Sequence, residues 1–254
     1  MLKSEIHWLP RYYTLFKLAK FNKGQIVLDA GCGQGIVTLG LARKGVRAIG
    51  IDSSIERIRE DRGFSKTLEL SDRPYFIVSD LRNLALRDNS IDAIISLDVL
   101  EYIKEDYLAI KEFFRVIKSA GRLLISLPED YPCSANLFFL QRIIRKIIPN
   151  FFYSKDLPNA KSWLKIDGEH LRLKLGDVRK YSLDEIRVKT EDFFRLNFYA
   201  YFLKLFSSLA TDITYGIKGF SRLKFLFFSI AVRLDYYFQK SKRGYGLFVE
   251  LVKK

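Results

Sequence analysis

Apolar and polar positions alternate in blocks along the first half of this chain. Gln25–Leu28 reads as a buried strand closed by Asp29, and Ile36–Ala42 reads as the helix that follows it. Val46–Ile51 is a second short strand ending in Asp52. Ser53–Asp61 then has helical character, with Ser53 or Ser54 as its cap. Tyr75–Val78 is a third strand that runs into Ser79-Asp80. The turn Arg87–Ser90 leads to a fourth strand, Ile91–Leu97. The helix Leu108–Ile117 is stopped by Ser119-Ala120-Gly121, and Arg122–Leu127 is a fifth strand closed by Pro128. Strands and helices alternating in this way predict an α/β fold built on a doubly wound, mostly parallel sheet.

Residues 4–20 read as a helix ahead of the sheet, capped by Ser4. Beyond Pro128 the blocks lose their order. Residues 129–180 are irregular and basic, Ser182–Glu191 reads as a helix, and Phe193–Tyr201 as a sixth strand. Residues 202–240 form an aromatic, basic insertion before a last strand at Gly246–Val252. No repeat or low-complexity linker divides the chain. The expectation is one domain: a helical cover (1–23), a core (24–128) and lid insertions at 129–180 and 202–240.

Charge sharpens that division. Residues 1–130 hold 20 Lys/Arg against 18 Asp/Glu, a net of +2, while residues 131–254 hold 23 against 11, a net of +12. A basic surface suits nucleic acid, anionic membrane or an anionic substrate. The two cysteines, Cys32 and Cys133, make no disulfide framework and point to a reducing, cytoplasmic setting. Two histidines and no C-x-x-C pair argue against a structural zinc site, so no metal is expected. Lys3, Glu5, Arg11, Lys17 and Lys20 break up residues 1–20, unlike a secretory signal.

Candidate chemistry collects at strand ends. Asp29-Ala30-Gly31-Cys32-Gly33-Gln34-Gly35 joins the first strand to the first helix. Glycines there allow a tight turn and close approach of backbone amides to a nucleotide-like ligand. Asp29, Asp52 and Asp80 each follow an apolar strand, so all three carboxylates are expected to converge on one crevice at the carboxyl edge of the sheet. Asp52 lies 17 residues after Gly35, a suitable interval for an acceptor of ribose hydroxyls. Gly31-x-Gly33-x-Gly35 differs from the Gly-x-Gly-x-x-Gly of dinucleotide folds.

With these residues the chain resembles class I S-adenosylmethionine-dependent methyltransferases, of the small-molecule type related to the ubiquinone and menaquinone biosynthesis enzymes. Asp29–Gly35, Gly50-Ile51-Asp52-Ser53-Ser54 and Ser79-Asp80-Leu81 match three motifs of that family. Leu86–Ile94 and Arg115–Ile125 resemble its approaches to the fourth and fifth strands. Glu101-Tyr102 stands where the family often has Glu-His, and Ser119-Ala120-Gly121 replaces its usual Pro-Gly or Gly-Gly turn. The resemblance implies S-adenosylmethionine as cofactor and a seven-stranded sheet with an antiparallel last strand. It also implies cofactor contacts from Asp29, Gly31, Cys32, Gly33, Gly35, Asp52, Ser53, Asp80, Leu81 and Leu97. Relatives carry a His-x-Arg element near the lid, which makes His170 the candidate base or substrate contact, with a merely lid-positioning histidine as its alternative. His7, Tyr12, Tyr13, Asp98 and Glu101 are further candidates around the pocket.

The acceptor is narrowed by exclusion. Leu97-Asp98-Val99-Leu100 lacks the Asn/Asp-Pro-Pro-Tyr/Phe run by which methyltransferases of DNA-base exocyclic amines and of glutamine amides resemble one another. That chemistry is disfavoured, and oxygen or carbon of a small or lipid-like acceptor is expected. The apolar stretch Phe225–Val232 is far shorter than the roughly 20 residues of a membrane span. Its flanking basic residues, like those within Leu137–Ile148 and Phe193–Leu209, suit a helix at an anionic membrane surface. These segments read equally well as helices that cover the sheet. RNA methylation through the basic half and a non-catalytic scaffold are the alternative functions.

Overall fold

The structure is a computed structural model, and it describes residues 15, 19–66, 73–128, 179–202, 230 and 246–254. The chain divides into two units. The described residues belong almost wholly to one of them, Leu15–Glu129, Lys180–Ala200 and Gly246–Lys254. The expected cover helix and lid insertions lie outside the described residues, apart from residues 15, 19–23, 179–180, 202 and 230.

The elements in chain order are β1 (Ile26–Ala30), α1 (Ile36–Arg43), β2 (Arg47–Asp52), α2 (Ile55–Lys66), β3 (Tyr75–Val78) and β4 (Ile91–Leu97). After a short 3-10 turn at Leu100–Tyr102 come α3 (Asp106–Val116), β5 (Ile117–Pro128), α4 (Leu183–Thr190), β6 (Phe194–Phe202) and β7 (Gly246–Lys253). The seven strands form one sheet in the order β3-β2-β1-β4-β5-β7-β6. Strands β3 through β5 pair in parallel, and β7 pairs antiparallel with β5. The strand order reverses between β1 and β4, which is where an open α/β sheet offers its ligand crevice.

The central strands are continuous apolar runs because helices on both faces bury them. Val27, Leu28, Ile94, Ile95, Leu123 and Ile125 are all fully buried. At the amino edge of the sheet, Asp92 accepts from the Ile26 amide at 2.7 Å and pairs with Lys118 at 2.6 Å. On the far side Arg122 reaches Glu250 at 3.1 Å, and Glu250 also accepts from Asn197. The helix expected at Ser182–Glu191 is α4, begun by a reciprocal capping box between Ser182 and Glu185.

One boundary differs from expectation. Ser119-Ala120-Gly121 does not end an element; it is a bulge within β5. Ile91 pairs with Ile117, but Ala93 pairs with Arg122, so the extra β5 residues loop out. Ala120 takes a left-handed φ of 58° to make that bulge.

Candidate active site at the carboxyl edge

The turn from β1 to α1 is built from its own sequence. Gly31 and Cys32 donate their amides to the Ile51 carbonyl at 2.7 and 2.9 Å, extending the β1–β2 pairing past the strand end. Gly31 has a φ of 81°, and a Cβ there would stand 2.4 Å from Val99 Cγ2, so only glycine lets the loop pass the segment after β4. Gly33 is different. The nearest atom to a Cβ at Gly33 is Arg57 Nη1 at 3.7 Å, so this part of the loop is open.

The three strand-end acids lie at three depths. Asp29 stands opposite Gly50 in the β1–β2 register and Asp52 opposite Val78 in the β2–β3 register, while Asp80 lies two residues beyond Val78. Each step of two residues moves a carboxylate roughly 7 Å further along the strand direction. Asp29 is buried, 3% exposed, and its Oδ2 accepts from the Thr38 amide (3.1 Å) and the Thr38 hydroxyl (2.6 Å). It therefore caps α1 from the preceding strand, since the helix start at Gly35 has no side-chain cap of its own. Burial pushes the Asp29 carboxyl up to about 6; the Thr38 hydrogen bonds oppose that rise, and the nearby Asp52 charge adds to it.

Asp52 accepts from the Gly33 amide at 2.9 Å on Oδ2 and from the Ser54 amide at 2.9 Å on Oδ1. Both bonds hold the carboxylate against the open part of the loop and leave lone pairs on each oxygen. Ser53 is exposed beside it, and Ser54 rather than Ser53 caps α2, its hydroxyl accepting from the Arg57 amide at 3.3 Å. Asp80 is the exposed member. Arg82 grips it with its Nε at 3.1 Å and Nη2 at 2.7 Å, and extends Nη1 to Glu105 at 2.5 Å. These bonds hold the Asp80 carboxyl below its ordinary value. Leu81 is buried next to it, and Cys32 is buried within the loop, in an apolar cluster with Leu39, Ile58 and Phe76.

At the end of β4, Leu97 is half-buried, and Asp98 adopts a left-handed φ of 54°. The Asp98 amide donates to the Ser126 carbonyl and its Oδ1 accepts from the Ser126 hydroxyl at 2.9 Å, so β5 holds that strained residue in place. Glu101 is buried in the 3-10 turn. The ten cofactor candidates thus line one edge of the sheet, though not one surface, because Asp29 and Cys32 lie inside. His7, Tyr12, Tyr13 and His170 lie outside the described residues.

Three residues escaped the sequence reading. Thr38 braces Asp29, and its position in the first turn of the helix was the available signal. Arg82 holds Asp80, and its spacing of two from that acid was visible. Asp61, on α2, is buried behind the loop and has no motif at all.

An open α/β sheet with a glycine turn at its switch point and acids at successive strand ends defines a nucleotide-type cofactor domain. Comparison with known proteins makes this specific. Residues 28–125 match the family described as a methyltransferase domain. The chain is 28% identical over 128 residues to a Mycolicibacterium smegmatis protein named as a probable S-adenosylmethionine-dependent methyltransferase, covering 50% of this chain and 48% of that protein. It is 36% identical over 104 residues to phosphoethanolamine N-methyltransferase 1 of Arabidopsis thaliana, covering 41% of this chain and 21% of that protein. The chain thus spans less than half the length of either relative. The fold is shared with the magnesium protoporphyrin IX methyltransferase of Synechocystis PCC 6803, solved with bound SAH, at a TM-score of 0.54 and 16% identity over 99% of this chain and 83% of that one. The chain carries a class I S-adenosylmethionine-dependent methyltransferase domain.

Proposed function

We propose that this chain is an active methyltransferase that binds S-adenosylmethionine on the Gly31–Gly35 loop and methylates oxygen or carbon of a small, amphiphilic acceptor. The observation that carries the reading is the pairing of an open Gly33 with an Asp52 carboxylate fixed by the Gly33 and Ser54 amides. A carboxylate so oriented, with spare lone pairs, fits a ribose diol. Asp80 and Leu81 suit the adenine end, with Ser53 beside the ribose. Gly31, Cys32, Gly35 and Asp29 shape the loop from behind, and Leu97, half-buried at the end of β4, suits a wall at the same edge. When bound, the cofactor would supply an electrophilic methyl group on a sulfonium, which passes in line to the acceptor as the thioether leaves.

The protein's part is then to orient the two partners and exclude water. A base is needed only where the acceptor must lose a proton, and His170 is the candidate for that role. The amphiphilic acceptor is supported by the basic, aromatic second half of the sequence. The oxygen or carbon preference is supported by Leu97-Asp98-Val99-Leu100 in place of the run by which DNA-base amine and glutamine amide methyltransferases resemble one another.

Calorimetric titration with S-adenosylmethionine tests the site. Asp52→Ala is expected to weaken binding by about tenfold or more, since a charge-assisted hydrogen bond contributes about 1.5–3 kcal/mol. Equal affinity of wild type and variant, or no binding by wild type, refutes the assignment. Methyl-labelled cofactor offered with quinone, polyprenyl, glycan, amine and RNA acceptors tests the rest. Label transferred only to amine or RNA overturns the acceptor class, and binding without any transfer identifies a scaffold.

A further inference from the structure

Helix α2 buries a stripe of three positions, Ile58, Asp61 and Ser65, which are 1%, 5% and 6% exposed. Spacings of three and seven residues put all three on one face, and such a face calls for apolar side chains. Position 61 carries a carboxylate instead. Its Oδ2 is buried and has no hydrogen-bond partner among the described residues. Its carboxyl carbon is packed behind the cofactor loop: a Cβ on Gly35 would stand 3.0 Å from Asp61 Cγ and 2.9 Å from Phe76 Cε1. A buried carboxylate with an unmade hydrogen bond is costly in a fold, so its presence at the back of a binding loop calls for a physical account.

The charged groups around Asp61 are mostly of its own sign. Asp29 at the end of β1 and Asp52 at the end of β2 repel it, as does Glu60 on its own helix, and among the described residues Arg57 opposes them. The Cys32 thiol in the loop feels the same field. Burial first, and then the charges of Asp29 and Asp52, push the Asp61 carboxyl up to about 7. Near neutral pH it therefore exchanges between neutral and ionised forms.

We propose that Asp61 is a positioning residue that couples the capture of a cationic ligand on the glycine loop to release of a proton, so that the loop favours a sulfonium donor over its uncharged thioether product. The proposal rests on the S-adenosylmethionine reading above. Ionised, Asp61 adds a third carboxylate to those of Asp29 and Asp52 around the loop, and positive charge on a bound ligand is drawn toward them. Neutral, it removes one of the three. A cation bound at the loop therefore favours breaking the carboxyl O–H bond, the proton passing to water and no other bond changing. Once the bound molecule has lost its sulfonium charge, Asp61 takes a proton back from water and the attraction falls.

The test is titration calorimetry of the whole chain with S-adenosylmethionine and with S-adenosylhomocysteine, at pH 6 and pH 8, each in two buffers of different ionisation enthalpy. The two ligands share their amino and carboxyl groups, so the second subtracts the titration of those groups from the first. For wild type the affinity for S-adenosylmethionine is expected to rise by about fivefold from pH 6 to pH 8, with net proton release, while that for S-adenosylhomocysteine changes by less than about twofold. Asp61→Asn, which keeps the shape of the side chain, is expected to bind S-adenosylmethionine with a flattened pH profile. Parallel profiles for the two ligands in wild type, or an unaltered profile in Asp61→Asn, overturn the proposal. Failure of wild type to bind S-adenosylmethionine at either pH overturns the cofactor reading itself, and this proposal with it.

Discussion

Asp29 and Asp61 are held above their ordinary carboxyl range, at about 6 and about 7, with burial as the first cause in each. Asp80 and Glu112 are held below theirs by arginine partners, Arg82 and Arg115, and Asp92 is lowered against its burial chiefly by Lys118. The sign of each shift fixes where it acts on stability. A carboxyl raised on folding binds its proton more firmly in the native state, so its cost is absent below its ordinary value of 3.8 and grows until the folded value is passed. The lowered acids add stability above their ordinary values that is lost only in stronger acid. Between pH 5 and pH 8 the raised pair therefore governs the carboxylate contribution, and it makes the ligand-free protein more stable as the pH falls. Asp61→Asn is expected to raise the melting temperature at pH 8 and to raise it much less at pH 5, as scanning calorimetry at both values would record. An equal effect at the two pH values would refute the assignment of that titration to Asp61. Asp29, Asp52 and Asp80 were legible in the sequence because each closes an apolar strand. Asp61 was not, because an acid within a charged helix reads as solvated until Ile58 and Ser65 are seen to share its face.

At the scale of elements, the segment after β4 is held in place by a contact that spans much of the chain. The Tyr181 hydroxyl, just ahead of α4, lies 2.8 Å from Asp106 Oδ2 at the start of α3 and 3.1 Å from the Leu100 carbonyl. Lys189 on α4 pairs with the other Asp106 oxygen at 3.0 Å. Val99, which packs against Gly31, immediately precedes Leu100, so this network steadies the wall of the cofactor loop. Tyr181→Phe keeps the ring and deletes one buried donor, and it is expected to cost about 1–3 kcal/mol in urea denaturation. A variant as stable as wild type would show that the hydroxyl contributes packing alone. The helix α4 was readable in advance from Ser182 and Glu185, three apart, because local capping is written in adjacent residues. The pairing of Tyr181 with Asp106 was not, because it joins positions 75 residues apart and depends on register. The β5 bulge escaped for a related reason: Ala120 and Gly121 look like a turn until the partner strand shows where pairing resumes.

For the molecule as a whole, the fold was legible where strands and helices alternate, up to Pro128, and the functional class was legible there too. Beyond that point lies a half of the sequence with a net charge of +12 and large apolar residues set among the basic ones. Among the described residues, no helix is long and apolar enough to cross a membrane. An interfacial role makes different demands. It needs basic residues near an anionic surface, each contributing about 1 kcal/mol, and aromatic side chains that enter the headgroup region. Phe225, Phe227 and Phe228, flanked by Arg222, Lys224 and Arg233, meet both demands in sequence, although they lie outside the described residues. If this segment docks the protein where an amphiphilic acceptor resides, sedimentation with vesicles should show binding to anionic lipid at about 0.1 M salt and its loss as the Debye length contracts from about 10 Å toward 3 Å. Replacing the three phenylalanines with serine should weaken that binding severalfold while leaving calorimetric affinity for S-adenosylmethionine unchanged, because the proposed cofactor contacts all fall within residues 29–97. Equal binding to neutral and anionic vesicles, or none to either, would refute the interfacial role.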